Sequence, residues 1–204
     1  MFHKRDIFFS VHKPKLKFLN LNELDLSLNV KSSRPNNPQH YHWLKQAAEW
    51  AENKWGYMRK FLGLEERITL IQKKIPHFYL AFYEDQDKNL HLVGTFALTP
   101  DELDIKDEQE FIKKKKYYVR PLQEIQTMSL SYLYVHDNFR DFGFGTQILD
   151  KAKEIAKESK RLMTAHLLSS TVHGFYKKRN AIFVEDHHAI KEPCAQIYFE
   201  GSKP

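Results

Sequence analysis

"SLSYLYVHDNFRDFGFGTQILDKAKEIAKE", Ser129 to Glu158, is the stretch on which the reading of this chain turns. β-prone residues run to Val135 and a short polar turn follows. Beyond it Ile148, Ala152, Ile155 and Ala156 recur on one helical face, which predicts a helix over Thr146 to Lys160. Two of only seven glycines, Gly143 and Gly145, stand at that junction with one residue between them. A helix opening at about Gly143 exposes backbone N–H groups that have no intrahelical acceptor. The macrodipole adds partial positive charge there. Glycine permits the tight turn and lets a ligand approach without meeting a Cβ. With the full charge of Arg140, the result is a cradle suited to a phosphate or pyrophosphate. The plainer alternative is that the glycines only permit the turn, because a lone G-x-G is common by chance. The third glycine of a dinucleotide fingerprint is missing, and no Gly-Lys-Ser/Thr of a Walker loop follows.

Downstream, residues 162–167, "LMTAHL", suit a buried strand. "STVHGFYKKRN" reads as a short helix or turn, and "AIFVE" and "AQIYFE" as strands. Upstream, Gln126 to Val135 is a strand. Phe78 to Tyr83 and His91 to Leu98 flank the polar "EDQDKN" as a hairpin. A helix is expected from His40 to Leu62, with Pro38 near its start and Gly63 as its stop. It carries Trp43, Trp50 and Trp55. "KSSRPNNPQ", Lys31 to Gln39, reads as a loop, and "RDIFFSV", residues 5–11, as a first strand. The charged residues 100–125 read as an inserted loop and short helix.

The totals fit one packed domain. The chain has 204 residues, is 42% hydrophobic and 14% aromatic, and carries a formal charge of +6. That charge favours anionic partners weakly. A single cysteine, Cys194, allows no intrachain disulfide and fits a reducing cytoplasm. No run approaches the roughly 18 apolar residues of a membrane span, and the N-terminal apolar run is too short for a secretory signal. Lys113 to Lys116 read as a solvated face before a nucleic-acid contact. His187, His188 and Cys194 match no zinc spacing, so no metal is expected.

"V-x-x-x-x-R-x-x-G-x-G", from Val135 to Gly145, resembles the acetyl-CoA loop of the GNAT superfamily of N-acetyltransferases. "SSTVHGFYKKRNAIFVED" is similar to the family's following segment, in which a short helix presents a tyrosine and runs into a strand. The hairpin with its valine-glycine pair resembles the family as well, so the likeness covers about residues 76–200. It implies an α/β (α+β) fold: a mixed, mostly antiparallel central sheet with helices on both faces and a splay between two parallel strands, the one ending at Val135 and Leu162 to Leu167. The chain is then a single domain, with the helical part at about 38–75 and the insert at about 100–125 shaping specificity.

The resemblance implies acetyl-CoA as co-substrate and acetyl transfer to a primary amine of a small molecule, a peptide N-terminus or a lysine. Backbone groups of Leu133, Tyr134 and Val135 would pair with pantetheine. Arg140 and the N–H groups across Asp141, Phe142, Gly143, Phe144, Gly145 and Thr146 would hold the pyrophosphate. Tyr176 matches the tyrosine that protonates the departing thiolate; its plainer reading is a ring packing a helix onto the sheet. Ser169 stands where many relatives carry an asparagine, and Asn180-Ala181 where many carry Gly-Phe. Asparagine tolerates the left-handed backbone that glycine would adopt. Ser129 stands where relatives often place a glutamate base. It could order a water, and Glu124 is the nearest carboxylate upstream. His136, His166 and His173 lie near the expected cleft, each more simply read as structural. Two other classes stay open: a non-catalytic acyl-CoA-binding sensor or partner of the same fold, and a basic nucleic-acid binder using Lys113 to Lys116. The expected partners are an amine-bearing small molecule or protein acceptor, with no membrane; nucleic acid is disfavoured, and a homodimer is left open.

Overall fold

The hairpin forms as its pattern requires. In the computed structural model, which describes residues 14–27, 34–55, 63–75, 77–101, 126–167, 170–185 and 195–199, strand β2 spans His77–Glu84 and β3 spans Leu90–Asp101. The Asp85 carboxylate organises the turn. Its Oδ1 accepts from the backbone N–H groups of Asp87 (3.0 Å) and Asn89 (2.8 Å), so the side chain stands in for a turn acceptor. His91 Nε2 lies 2.8 Å from Asp85 Oδ2, and that hydrogen bond holds the carboxyl down at about 2. Strand β1 (Lys17–Asn20) pairs antiparallel with β2, from Lys17 opposite Phe82 to Asn20 opposite Tyr79.

Helix α1 spans Pro38–Trp55. Proline as its first residue gives up no helical hydrogen bond, and Asn37 Oδ1 accepts the N–H of His40 at 3.1 Å as a cap. Trp43, Leu44, Ala47, Ala48 and Ala51 form its buried face. The residue expected to stop this helix opens another. Gly63, at φ +81°, stands at the N-terminus of α2 (Leu64–Lys74). Glu65 and Glu66 in the first turn suit the positive end of the dipole there.

The later elements are β4 (Thr127–Val135), α3 (Phe144–Glu158), β5 (Leu162–Leu167), α4 (His173–Lys177), β6 (Ala181–Glu185) and β7 (Ala195–Phe199). Helix α3 begins and ends two residues earlier than the expected Thr146 to Lys160, because Phe144 is itself its first buried anchor. Lys160, at φ +55°, takes the left-handed conformation common just past a helix end. Strand β3 continues to Asp101, so the segment expected to be an insert from residue 100 begins inside a strand. Among the described residues the strands form one mixed, mostly antiparallel sheet of seven, in the order β1-β2-β3-β4-β5-β7-β6. Its parallel ladder joins β4 to β5, from Thr127 opposite Leu162 to Leu130 opposite Ala165. Strands β5 and β6 each pair antiparallel with β7. The expected strand at 5–11 and the residues between 102 and 125 lie outside the described residues.

By internal contacts the chain divides into two units, Met1–Ala97 with Tyr132–Leu149, and Leu98–Ser131 with Asp150–Pro204. The first has a core of Leu44, Ala48, Ile71, Phe78, Leu80 and Phe82, all fully buried. In the second, Leu162, Met163, Thr164 and Ala165 are buried in succession. That continuous burial is expected of a strand covered on both faces. Arg161 Nη1 donates to the Thr127 carbonyl at 3.1 Å, and the Leu162 N–H donates to the Gln126 carbonyl at 2.9 Å, where the parallel ladder begins.

Candidate functional site

In the first unit the end of β4, the turn after it and the start of α3 form one corner. The His136 N–H donates to the Val93 carbonyl at 2.9 Å, which ties the exit of β4 to β3. His136 Nδ1 accepts the Asn138 N–H at 3.4 Å and caps a single 3-10 turn, Asp137–Phe139. Arg140 Nη2 pairs with Asp137 Oδ1 at 2.6 Å, and its Nε reaches the Val135 carbonyl at 3.4 Å. About half of its side chain stays exposed, at 49%.

Two left-handed residues follow in alternation, Asp141 at φ +72° and Gly143 at φ +79°. Backbones that alternate in hand turn successive N–H groups toward one point, which makes a concavity for an anion. The Gly143 carbonyl accepts from the N–H groups of Thr146 (3.1 Å) and Gln147 (3.3 Å), closing the first turn of α3. The amides of Phe144 and Gly145 therefore have no intrahelical acceptor, as at any helix start. Apart from its chain neighbours, a Cβ added at Gly143 would meet no atom of the described residues within 4 Å, so among them the space beside the turn is open. Phe144 is 1% exposed and anchors the corner, with the rings of Tyr83, Phe139 and Phe142 at 6.2, 6.5 and 6.0 Å. The Gln147 side-chain amide accepts from the Leu16 N–H (3.0 Å) and donates to the Pro14 carbonyl (2.9 Å). It clasps the segment before β1 to this helix turn.

Approach to the corner also depends on Gly94, the glycine of the hairpin's valine-glycine pair. A Cβ there would come within 2.4 Å of the Tyr134 carbonyl oxygen and 2.8 Å of Ile148 Cδ1. On β4, Tyr132 is left-handed at φ +52°, an unfavourable state for a residue with a Cβ. The Thr95 hydroxyl donates to its carbonyl at 2.9 Å, and the Phe78 ring lies 5.8 Å from its own.

Its hydroxyl accepts from Arg67 Nη1 at 3.2 Å. Arg67, on α2, is 1% exposed and donates through Nε to Glu52 Oε2 of α1 at 2.8 Å. Its Nη2 lies 2.8 Å from the same oxygen but makes no aligned hydrogen bond, so it adds attraction to the ion pair without directional bonding. The other Glu52 oxygen accepts the Gly63 N–H at 3.0 Å. Sequence reading missed this network. The available signal was a glutamate and an arginine, each set among the buried positions of its own helix. Trp50, half-buried on α1, packs its ring against Tyr134 (5.4 Å) and His136 (5.1 Å). Burial, with Asp137 adding to it, raises the Tyr134 phenol above its ordinary value.

In the second unit Tyr176 lies on α4, 7% exposed, with the rings of Phe175 and Phe199 at 5.0 and 6.3 Å. Burial pushes its phenol up to about 12. His173, one turn earlier, is half-buried against Phe183 at 5.2 Å, and its Nε2 is sealed from solvent with no hydrogen-bond partner among the described residues. Ser129 is half-buried opposite Thr164 in the parallel ladder. Asn180 takes the left-handed conformation expected of it, at φ +60°. Glu124, Ser169, Lys113 to Lys116, His187, His188 and Cys194 lie outside the described residues, as does the side chain of His166.

Among the described residues no group of three or more His, Cys, Asp or Glu could hold a metal ion, and no helix is long and apolar enough to cross a membrane. The family model for the acetyltransferase (GNAT) family matches residues 41–181, more than half of the chain. No curated protein matches. Among solved structures, AtaTR bound with AcCoA is 13% identical, covers 93% of this chain and 96% of its own, and superposes with a TM-score of 0.51. A chain of the NatC complex bound to Gag peptide and CoA is 9% identical, covers 91% of this chain and 98% of its own, with a TM-score of 0.53. An acetyltransferase from Streptococcus agalactiae is 14% identical, covers 90% and 97%, with a TM-score of 0.51. At these identities the likeness is one of fold, and the family match carries the assignment: the chain belongs to the GNAT acetyltransferase family.

Proposed function

We propose that this protein transfers the acetyl group of acetyl-CoA to a primary amine of a small molecule, a peptide N-terminus or a lysine side chain. One observation supports the reading most directly. Asp141 and Gly143 alternate in hand immediately before α3, beside open space and the half-exposed Arg140. A pyrophosphate suits that corner, because it gains several N–H donors, the helix dipole and a full positive charge together. In this reading Arg140 and the amides from Asp141 to Gly145 hold the phosphates, Thr146 closes the turn beneath them through its N–H on the Gly143 carbonyl, and the backbone of Leu133, Tyr134 and Val135 pairs with the pantetheine arm.

In the reaction the neutral amine attacks the thioester carbon, the carbon–sulfur bond breaks, and the amine's lost proton balances the thiolate. The family resemblance gives Tyr176 the place beside the leaving sulfur. A phenol at about 12 is a weaker acid than a thiol near 8.5, so Tyr176 donates a hydrogen bond that spreads the sulfur's charge instead of surrendering its proton. Ser129 and Ser169 stay in the proposal as hydrogen-bonding positions, and Glu124 as the nearest upstream carboxylate.

A second reading, an acyl-CoA-binding protein without turnover, draws on Ser129, where a serine occupies the strand position that the family often gives to a base. Release of free thiol from acetyl-CoA in the presence of small amines, lysine and peptides with free N-termini separates the two. Amine-dependent thiol release is expected; tight acetyl-CoA binding with no release on any amine would favour the second reading, and no binding would remove both.

A further inference from the structure

We infer that Arg67, clamped by Glu52, is a positioning residue for the pantetheine arm: through the Tyr132 hydroxyl it holds the left-handed bend of β4 that aims the backbone of Leu133 to Val135. The inference rests on the cofactor reading above.

Nothing local explains the bend. Tyr132 stands between Ser131 and Leu133, with no glycine or asparagine to favour positive φ. A left-handed residue with a Cβ persists only where its surroundings over-determine it. Among the groups that do so here are the Thr95 hydroxyl on its carbonyl, the Phe78 ring on its ring, and Arg67 Nη1 on its hydroxyl. The last of these is the one that comes from the helical pair. Arg67 is itself fixed, at 1% exposure, by a carboxylate on the other helix, and that carboxylate also accepts the N–H of Gly63 where α2 begins. A single buried network therefore joins α1, the start of α2 and β4. An apolar pair would hold two helices together without the cost of desolvating two charges. What the ion pair adds is a directed donor, and that donor is spent on the residue where β4 bends. Within a strand, such a residue rotates the peptide planes on either side of it out of the regular alternation. The direction of the amides that follow is thereby tied to how the helices sit on Tyr132.

The test uses two ligands that differ only beyond the phosphates: acetyl-CoA, and its nucleotide half, 3′-phospho-ADP. Tyr132→Phe keeps the ring against Phe78 and removes the acceptor of Arg67, whereas Arg67→Lys keeps the cation and loses the fork. Both should lower affinity for acetyl-CoA by about tenfold while leaving 3′-phospho-ADP within about twofold of wild type, measured by calorimetric titration of the full chain. Should Arg67→Lys fail to fold, Glu52→Gln takes its place. Unchanged binding of both ligands would overturn the inference. An equal loss for both would also overturn it, by marking a network that only stabilises the fold. A wild-type chain that binds neither ligand would remove the cofactor reading itself.

Discussion

Gly94 lies so close to Tyr134 that a Cβ on the glycine would stand 2.4 Å from the tyrosine's carbonyl oxygen. The obstacle is backbone, which cannot swing aside as a flexible side chain would, and Ile148 Cδ1 blocks a second direction at 2.8 Å. Gly94→Ala should therefore destabilise the protein by about 3 kcal/mol, the upper part of the range for overpacking a core. Urea unfolding followed by circular dichroism measures it. A change below about 1 kcal/mol would mean that β3 and β4 separate more readily than this contact implies.

Arg140 gives the opposite separation of effects. Its ion pair with Asp137 is about half exposed on one side and 70% exposed on the other. Exposed pairs contribute little, so Arg140→Ala should leave stability within about 0.5 kcal/mol of wild type. Affinity for acetyl-CoA should fall by about tenfold, and its dependence on salt should flatten as a cation leaves the phosphate site. Calorimetric titration at two salt concentrations reads both.

Glu52→Ala should be the most damaging single change among the described charged residues. It leaves the Arg67 guanidinium, 1% exposed, without its carboxylate and with the Tyr132 hydroxyl as its acceptor. Breaking a buried pair from one side costs about 3–5 kcal/mol. A shift in the urea midpoint with unchanged slope is the expected readout.

Tyr176 makes a prediction in alkali. Burial raises its phenol from about 10 to about 12, so the folded protein holds the proton that the unfolded chain releases between those values. Its share of stability is complete below about pH 10 and is lost as pH rises toward 12, amounting to about 2–3 kcal/mol. In Tyr176→Phe that alkaline decline should be shallower. Equal declines in the two proteins would place the ionisation elsewhere.

How far the sequence revealed this arrangement depends on where each feature has its cause. The hairpin was legible because two β-prone runs flank a polar turn whose Asp85 acts on its own neighbours. The corner before α3 was legible because Gly143 is the residue a left-handed turn selects, and Asn180 announced its own turn in the same way. Gly63 was legible as a helix boundary but not as a helix start: a glycine can end one helix or open the next, and neighbouring residues alone do not say which. Tyr132 left no local trace. Its conformation is imposed by Thr95, Phe78 and Arg67, 37 to 65 positions away along the chain. Glu52 and Arg67 looked like ordinary charged residues of two amphipathic segments until the fold buried them against each other.

A crystal structure of the chain with CoA decides whether a pyrophosphate rests on the amides from Asp141 to Gly145. Both phosphates should lie within hydrogen-bond distance of those amides, with Gly143 and Asp141 still left-handed and Arg140 turned toward the ligand. Bound CoA with its phosphates elsewhere, or a corner filled by the protein's own side chains at saturating CoA, would contradict it.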